Sequence, residues 1–352
     1  MLKQIITGLI SPLMIYREVG VIESTFAEYT SLNLYLECLR SLLLETAKSQ
    51  GKSEEVYPLL EVNLDKLNTE FVKVFQDWGR EVLSNISIEE AHLLGAVTID
   101  FSELIQRFPL GNYSNKQEIA IAGYKLASSF FTRKDQPVLW ANAHKELGKA
   151  LSNRLEGDQA DNLEEAISHL HKSLWVFTLD TYPDQWAGVH HLLGGTYIER
   201  IQGERPRNLE QSIFHSQQAL RLFQFETHPD QWAGTQGNLA SAYVYRIQEE
   251  RADNLEEAIY YYHQALRVFS IETHPQEWAD TQNNLGNAYL QRVRGIRADN
   301  LEQAIGYFQR VRQIFTCDTF PDKWATTQQN LGVAYIHRIR GQQAENLEQA
   351  IH

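Results

Sequence analysis

Apolar residues recur at helical spacing over the second half of the chain, and the whole pattern repeats every 46 residues. The tryptophans that mark this period are Trp140, Trp186, Trp232, Trp278 and Trp324. A proline stands three residues before each, and the prolines are Pro137, Pro183, Pro229, Pro275 and Pro321. Seven residues after each tryptophan comes a leucine, followed by glycine in four of the five units. Self-similarity at a fixed period of this length predicts a repeat protein.

Each unit is predicted to form two helices. The proline opens the first helix, where its missing N–H costs nothing, and Leu285, Tyr289 and Arg292 share one face of that helix. The second helix is predicted to begin at a recurring asparagine, with Glu or Gln three residues later as in a capping box. These asparagines are Asn162, Asn208, Asn254, Asn300 and Asn346. Helix pairs stacked at this period predict an all-α fold, an α-solenoid of antiparallel pairs.

The motif Leu285-Gly286-x-x-Tyr289, followed by Ala304-Ile305-x-x-Phe308, resembles the tetratricopeptide repeat. The usual unit has about 34 residues, and the longer unit of this chain resembles the extended repeats of the kinesin-light-chain kind. The repeat contains the sequence motifs Thr-His-Pro-x-x-Trp-Ala and Asn-Leu-Glu-x-Ala-Ile. These motifs are most similar to those of bacterial repeat arrays attached to CHAT-type caspase-like peptidases. The resemblance covers residues 116–352 and implies a right-handed superhelix that binds proteins.

The repeats suggest a division of the chain into domains. We predict a helical N-terminal domain of unknown role at residues 1–110 and a degenerate first repeat, represented by its second helix, at 111–136. The repeats then run 137–182, 183–228, 229–274, 275–320 and 321–352, the last of them incomplete. Three helix-like stretches in the N-terminal part are Thr30–Gln50, Ser53–Leu83 and Ile88–Phe108. Such a helical domain is expected to cap the apolar face of the first repeat.

The last unit stops six residues after Asn346, whereas the second helix of earlier units runs about sixteen residues past its asparagine. A half-formed helix would leave the preceding apolar stripe uncovered. We therefore expect the sequence to be the front portion of a longer chain.

Composition narrows the possible partners and surroundings. The net charge of −13 and pI near 5.4 argue against nucleic acid and anionic membranes as partners. The two cysteines lie far apart in sequence and predict no disulfide framework. The apolar stretch Ile5–Ile15 is broken by Gly8, Ser11 and Pro12 and is too short to span a membrane. We predict a cytoplasmic protein.

No catalytic, cofactor or metal site is predicted. The chain has no glycine-rich phosphate loop, no Gly-x-Ser-x-Gly elbow and no CHAT-type Cys and His motifs. His190 and His191 are adjacent, and His169 and His171 are two apart. Neither spacing places two imidazoles on one helical face, which disfavours a metal site.

A row of arginines accompanies the repeats at Arg154, Arg200, Arg246, Arg292 and Arg338. Each is predicted to lie within salt-bridge range of acidic or carbonyl groups in its own or the adjacent unit, rather than to line an anion site. The simplest partner is a recurring glutamate in the opening turn of the paired second helix. These glutamates are Glu164, Glu210, Glu256, Glu302 and Glu348. The periodic tryptophans are predicted to pack between units.

The resemblance implies that the first helices line a concave groove that binds an extended peptide. The candidate groove residues are Asn238, Asn283, Asn284, Asn287, Gln291, Gln329, Asn330 and His337. In kinesin-light-chain-like families the asparagine matching Asn238, Asn284 and Asn330 holds a peptide backbone, and a carboxamide can both donate and accept. The alternative is an asparagine bonded within its own array. Glu146 and Leu192 at this position in the first two units confine the ladder to the last three.

These observations predict a non-catalytic scaffold that binds a protein or extended peptide, as the recognition or regulatory portion of a larger signalling or defence protein. One alternative is a region that inhibits in cis an attached C-terminal effector, either a CHAT-type peptidase or an NTPase. A second alternative is a self-assembling scaffold.

Overall fold

The computed structural model describes residues 26–351, with side chains for residues 32–350. The part described contains fifteen α-helices, one short 3-10 helix at Leu64–Lys66 and no β-strand. The predicted all-α fold class is therefore confirmed. None of the helices found there is long and apolar enough to cross a membrane. The apolar stretch Ile5–Ile15 lies outside the described residues.

Four helices precede the repeats: α1 (Phe26–Ser49), α2 (Ser53–Val62), α3 (Thr69–Leu83) and α4 (Ile88–Arg107). The stretch predicted as helical over Ser53–Leu83 is split in two, because Asn68 caps a new helix. Its side-chain oxygen accepts the backbone N–H groups of Glu70 and Phe71, at 3.0 and 3.2 Å. Such a cap fixes the start of a helix.

The core of the N-terminal part is aromatic. Phe71, Phe75, Trp78 and Phe101 are almost completely buried, and the ring of Phe75 lies 6.0 Å from Trp78 and 5.8 Å from Phe101. The same cluster includes Leu147 and other side chains of the first repeat. These helices and the first repeat thus share one core, and together they form a compact unit that ends at Thr178. The domain boundaries expected at residues 110 and 136 remain predictions.

The remaining helices occur as pairs, after α5 (Tyr113–Phe130), which lies where the second helix of a degenerate repeat is predicted. In chain order the pairs are α6 (Pro137–Ser152) and α7 (Gln159–Ser173), α8 (Pro183–Glu199) and α9 (Arg205–Ala219), α10 (Pro229–Tyr245) and α11 (Arg251–Ala265), α12 (Pro275–Gln291) and α13 (Arg297–Val311), and α14 (Pro321–Ile336) and α15 (Gln343–Ile351). Every first helix begins at the recurring proline, so the period of 46 residues is also a period of structure. The stacked pairs confirm the predicted α-solenoid. Residues from Leu179 onwards form a second compact unit.

Small residues and tryptophans hold neighbouring helices together. A Cβ added at Gly286 would lie 2.7 Å from the ring of Phe308, so the Leu-Gly pair permits the close approach of α12 and α13. Trp232 packs with Phe223 of the second repeat and with Phe269 of its own repeat. Trp278 connects the next pair of clusters in the same way. For Trp232 and Trp278, the predicted packing of tryptophans between units is confirmed.

The second helices do not begin at the recurring asparagine, and that prediction is wrong. Each of them begins three residues earlier, so that Asn300, for example, lies inside the first turn of α13 and is buried. Its Nδ2 donates to the carbonyl of Arg294 at 2.8 Å, and its Oδ1 accepts from Nη1 of Arg292 at 3.4 Å. The asparagine therefore closes the preceding turn, because a buried turn carbonyl needs a donor.

Candidate functional site

The first helices of the second compact unit form one layer. Helices α8, α10, α12 and α14 contact one another in series, and each second helix packs against its own first helix and the next one. The face of the first helices that turns away from the second helices is the candidate groove.

Two amides of the predicted asparagine ladder are bonded between repeats. Asn238 donates through Nδ2 to the backbone carbonyl of His191 at 3.2 Å. Asn330 donates through Nδ2 to Oδ1 of Asn283 at 3.4 Å. In both cases the acceptor lies on the first helix of the preceding repeat. Each of these amides uses one of its hydrogen-bonding positions in this way and remains half-buried.

The other predicted groove residues differ in their surroundings. Asn284 and Asn287 are half-buried on α12, and their side chains have no hydrogen-bond partner among the described residues. Gln291 accepts through Oε1 from Nη2 of Arg251 at 2.5 Å. Gln329 and His337 are exposed on and just after α14. The peptide-binding role of these residues stays a prediction.

A cavity of about 230 Å³ lies between α12 and α14. Its lining residues are Asp280, Asn283, Phe315, Asp322, Lys323, Thr326 and Thr327. The ammonium of Lys323 lies 2.6 Å from Oδ2 of Asp280 and 4.8 Å from the ring centre of Phe315. Desolvation raises the pKa of Asp280, and the lysine opposes this shift. The cavity thus has a charge-compensated ion pair at its wall, beside the ring of Phe315.

Glycines occupy the equivalent face in the second and third repeats, which the sequence analysis missed. Gly188 and Gly234 stand at the position of Asp280, and Gly237 stands at that of Asn283. A Cβ at Gly188 or Gly237 would meet no atom within 4 Å. Glycine inside a helix costs about 1 kcal/mol relative to alanine, and no close packing accounts for these two. They leave the helix backbone uncovered on the candidate face.

Four arginines of the row bind acidic groups of the adjacent repeat, which confirms for them the prediction of a partner in the same or the adjacent unit. The narrower prediction, that the partner is the glutamate of the same unit, is wrong. Four of the guanidinium groups reach the glutamate on the second helix of the preceding repeat, 36 residues earlier, with shortest distances of 2.7 to 2.8 Å. The pairs are Arg154–Glu118, Arg246–Glu210, Arg292–Glu256 and Arg338–Glu302. Arg246 and Arg292 leave their helices with extended backbone, which turns them towards the earlier repeat. These arginines form ion pairs between repeats and do not line the candidate groove.

Two histidine pairs were also missed. Nδ1 of His144 lies 2.8 Å from Nδ1 of His169, and His190 and His215 repeat this contact one unit later at 2.8 Å. Burial lowers the pKa of His144 to about 3 and that of His169 to about 4, and Lys172 adds to both shifts. The first pair is therefore neutral, with one ring donating to the other. Within residues 26–351, no group of three or more His, Cys, Asp or Glu side chains could hold a metal ion.

The sequence signal for these pairs was available. Both pairs join residues 25 apart, and the second pair follows the first after one repeat. Histidines close together along the chain are not the partners; each pair joins the two helices of one repeat.

No protein-family model matches the chain, and no curated protein matches it. Among solved structures, the chain is similar to a Signal Transduction ATPase with Numerous Domains (STAND) protein with a tetratricopeptide repeat sensor from Pyrococcus horikoshii. The TM-score is 0.48 and the sequence identity 17%, and the match covers 95% of this chain and 46% of that one. This chain thus spans less than half the length of that protein. The helix pairs described above, starting every 46 residues, give the chain a tetratricopeptide-like repeat fold.

Proposed function

We propose that the chain is a non-catalytic scaffold that binds a protein or extended peptide along the first helices of its second compact unit. The observation that carries this proposal is the uncovered backbone at Gly188 and Gly237, on the face that bears half-buried amides one repeat later. A ligand backbone can approach closely where a helix has no side chain. Neither glycine is required by packing within the part of the chain described, which favours a role in binding.

The amides suit a peptide backbone. An extended peptide presents C=O and N–H groups in alternation, and a carboxamide bonds to both kinds. Asn284 and Asn287 supply such groups without a partner in the described chain, and Asn238 and Asn330 retain further hydrogen-bonding positions. The acidic composition, with a net charge of −13, favours a neutral or basic partner.

In a cell, this scaffold would act in the cytoplasm as the recognition or regulatory part of a larger signalling or defence protein. This wider role is supported by the resemblance of the repeat's sequence motifs to those of arrays attached to CHAT-type peptidases. A second candidate is regulation in cis, in which the groove holds a segment of an attached peptidase or NTPase.

The test begins with a pull-down that identifies the partner of the full chain, followed by calorimetric titration of variants. Gly237→Leu fills open space on the candidate face and should weaken binding about tenfold or more, because the added side chain excludes the ligand backbone. Gly306→Leu is the matched control, since Gly306 lies in α13 and a Cβ there also meets no atom within 4 Å. Equal affinity of both variants would contradict the proposal.

The amides need a separate variant. Asn284→Ala with Asn287→Ala removes two carboxamides that have no partner among the described residues, so the fold should be unchanged by circular dichroism. Binding should weaken by roughly 1–3 kcal/mol for two lost hydrogen bonds. An unaltered affinity would remove these amides from the site.

A further inference from the structure

The cavity between α12 and α14 shares Asn283 with the candidate groove residues, so it lies where the proposed ligand would bind. Its volume of about 230 Å³ is smaller than the roughly 300–1,000 Å³ of pockets that enclose a whole small molecule. The cavity is therefore suited to a single side chain of a larger ligand.

A carboxylate and an aromatic ring meet in this cavity. Asp280 lies on α12, and Phe315 follows α13 with only 1% of its surface exposed. This combination favours a cation, because the carboxylate supplies the opposite charge and the face of an aromatic ring is negative.

The chain's own Lys323 shows where a cation fits. Its ammonium lies 2.6 Å from Oδ2 of Asp280 and 4.8 Å from the ring centre of Phe315. The lysine side chain keeps 43% of its surface exposed, and an ion pair as exposed as this one is weak enough to open. The repeat does not require a lysine at this position, since the equivalent residues are Gln185, Gln231 and Glu277.

The remaining wall of the cavity offers hydrogen-bond acceptors. The hydroxyl groups of Thr326 and Thr327 donate to the backbone carbonyls four residues earlier, at 2.9 and 2.8 Å. Their protons are therefore committed, and their oxygen lone pairs remain for a ligand. Asp322 adds a second carboxylate. A side chain that only donates suits such a wall, and arginine carries five N–H donors and no acceptor.

The charge around the cavity also favours a cation. Asp280 and Asp322 both line the cavity, and Lys323 is the one cation among the lining residues. The carboxylate of Glu277 acts on Asp280 as well. One lysine therefore leaves an excess of negative charge at this point of the candidate groove.

We propose that this cavity takes an arginine side chain of the bound peptide, which displaces Lys323 from Asp280. A guanidinium forms two parallel bonds with a carboxylate and lies flat on an aromatic ring, and the ammonium of lysine does neither. This assignment rests on the proposed function, since the rest of the peptide would lie along the first helices. It narrows the partner to a protein segment that contains arginine.

The first test uses a defined probe, N-acetyl-arginine amide, titrated into the full chain at millimolar concentration. Amide chemical shifts, measured by nuclear magnetic resonance, should change at the residues that line the cavity. N-acetyl-citrulline amide has nearly the same shape without the charge and should bind at least about tenfold more weakly. Equal binding of the two probes, or shift changes confined to other parts of the chain, would overturn the proposal.

Two variants should change the affinity for the arginine probe in opposite directions. Asp280→Asn removes the charge and should weaken binding about tenfold, whereas Lys323→Gln removes the competing cation and should strengthen binding about fivefold. Glutamine suits the fold there, because Gln185 and Gln231 occupy the equivalent positions. Asp299→Asn is the control, since this carboxylate also belongs to an ion pair and is 49% exposed. If neither variant changes the affinity, Asp280 and Lys323 only connect the repeats and the proposal is wrong.

Failure of this proposal can be distinguished from failure of the proposed function. Gly237 does not line the cavity, so Gly237→Leu should leave the affinity for the arginine probe unchanged within about twofold. If the probe does not bind while Gly237→Leu still weakens binding of the partner, the arginine assignment is wrong and the proposed function stands. If the probe binds as expected while Gly237→Leu binds the partner normally, the proposed function is wrong, and with it the assignment of the cavity to a bound peptide.

Discussion

The guanidinium of Arg292 forms two hydrogen bonds with the carboxylate of Glu256, from Nε to Oε1 at 2.8 Å and from Nη2 to Oε2 at 2.7 Å. The two residues belong to consecutive repeats and keep only 26% and 28% of their side chains exposed. The same guanidinium lies over the ring of Tyr289 and reaches Asn300. One side chain therefore connects two repeats and the turn between them.

Replacing this arginine should destabilise the array. Arg292→Ala is expected to lower the free energy of unfolding by about 2–3 kcal/mol, because partly buried, charge-assisted bonds are lost together. Arg292→Lys should recover part of the loss, since it keeps the charge but not the planar fork. Urea denaturation of Arg292→Ala, Glu256→Ala and the variant carrying both changes completes a double-mutant cycle with an expected coupling of about 1–2 kcal/mol. Arg294→Ala, which breaks a half-exposed pair, is the control and should cost less than about 1 kcal/mol. A coupling near zero would show that the pair does not connect the repeats energetically.

The buried asparagine of each turn is expected to be as important as the arginine. Asn300→Ala removes the donor to the carbonyl of Arg294 and the acceptor of Arg292. Leaving such groups buried and unpaired costs about 1–3 kcal/mol. If the asparagine were only a helix cap on the surface, Asn300→Ser would restore most of the stability in urea denaturation. A serine side chain is too short to reach the turn carbonyl, so we expect Asn300→Ser to remain destabilised.

The histidine pair of the first repeat predicts a dependence of stability on pH. The pKa values of His144 and His169 are lowered to about 3 and about 4 by burial, next to Lys172 and, for His169, Lys125. Between these values and the unfolded value near 6.5, the unfolded state binds more protons than the folded state. Stability is therefore complete above about pH 6.5 and decreases as the pH falls, by up to about 1.4 kcal/mol per pH unit for each histidine.

The third repeat supplies a matched variant for this test. Gln236 and Tyr261 occupy the positions that correspond to His144 and His169. His144→Gln with His169→Tyr should reduce the slope of unfolding free energy against pH between about 4 and 6.5. His337→Gln, at an exposed position, should leave the slope unchanged. An identical slope in both variants would contradict the role of the buried pair.

The left-handed turn residue offers a test of backbone strain. Gly295 has φ +81°, and Gly295→Ala should destabilise the protein by about 1 kcal/mol, because a Cβ is disfavoured there. Glu249 occupies the same turn position one repeat earlier at φ +65°, so Glu249→Gly should stabilise the protein by about 0.5–1 kcal/mol. Thermal unfolding of the two variants measures both effects. The two changes in the free energy of unfolding should have opposite signs. A destabilised Glu249→Gly variant would show that this carboxylate stabilises the folded chain.

Much of the fold followed from local sequence signals. Proline at the first helical position, glycine beside leucine and apolar residues at helical spacing act within a few residues of each other. They predicted the first helices, whose starts at Pro183 and Pro275 agree with the structure. The start of the second helix was predicted wrongly, because Asn followed three residues later by Glu or Gln is typical of a helix cap. In the structure the buried asparagine instead bonds to a carbonyl of the preceding turn, as Asn300 does to Arg294.

By itself the sequence determined the period, the pairing of helices and the residue types that recur, because a repeated sequence must form a repeated local structure. Which repeat each side chain binds depends on how the helices pack in three dimensions. Arg292 reaches back 36 residues to Glu256, and His144 crosses 25 residues to His169, and both choices depend on which surfaces face each other after the helices stack. Packing also determines which apolar side chains are exposed. Ile247 and Ile259 are equally apolar, but Ile247 lies exposed in a turn and Ile259 is buried between helices.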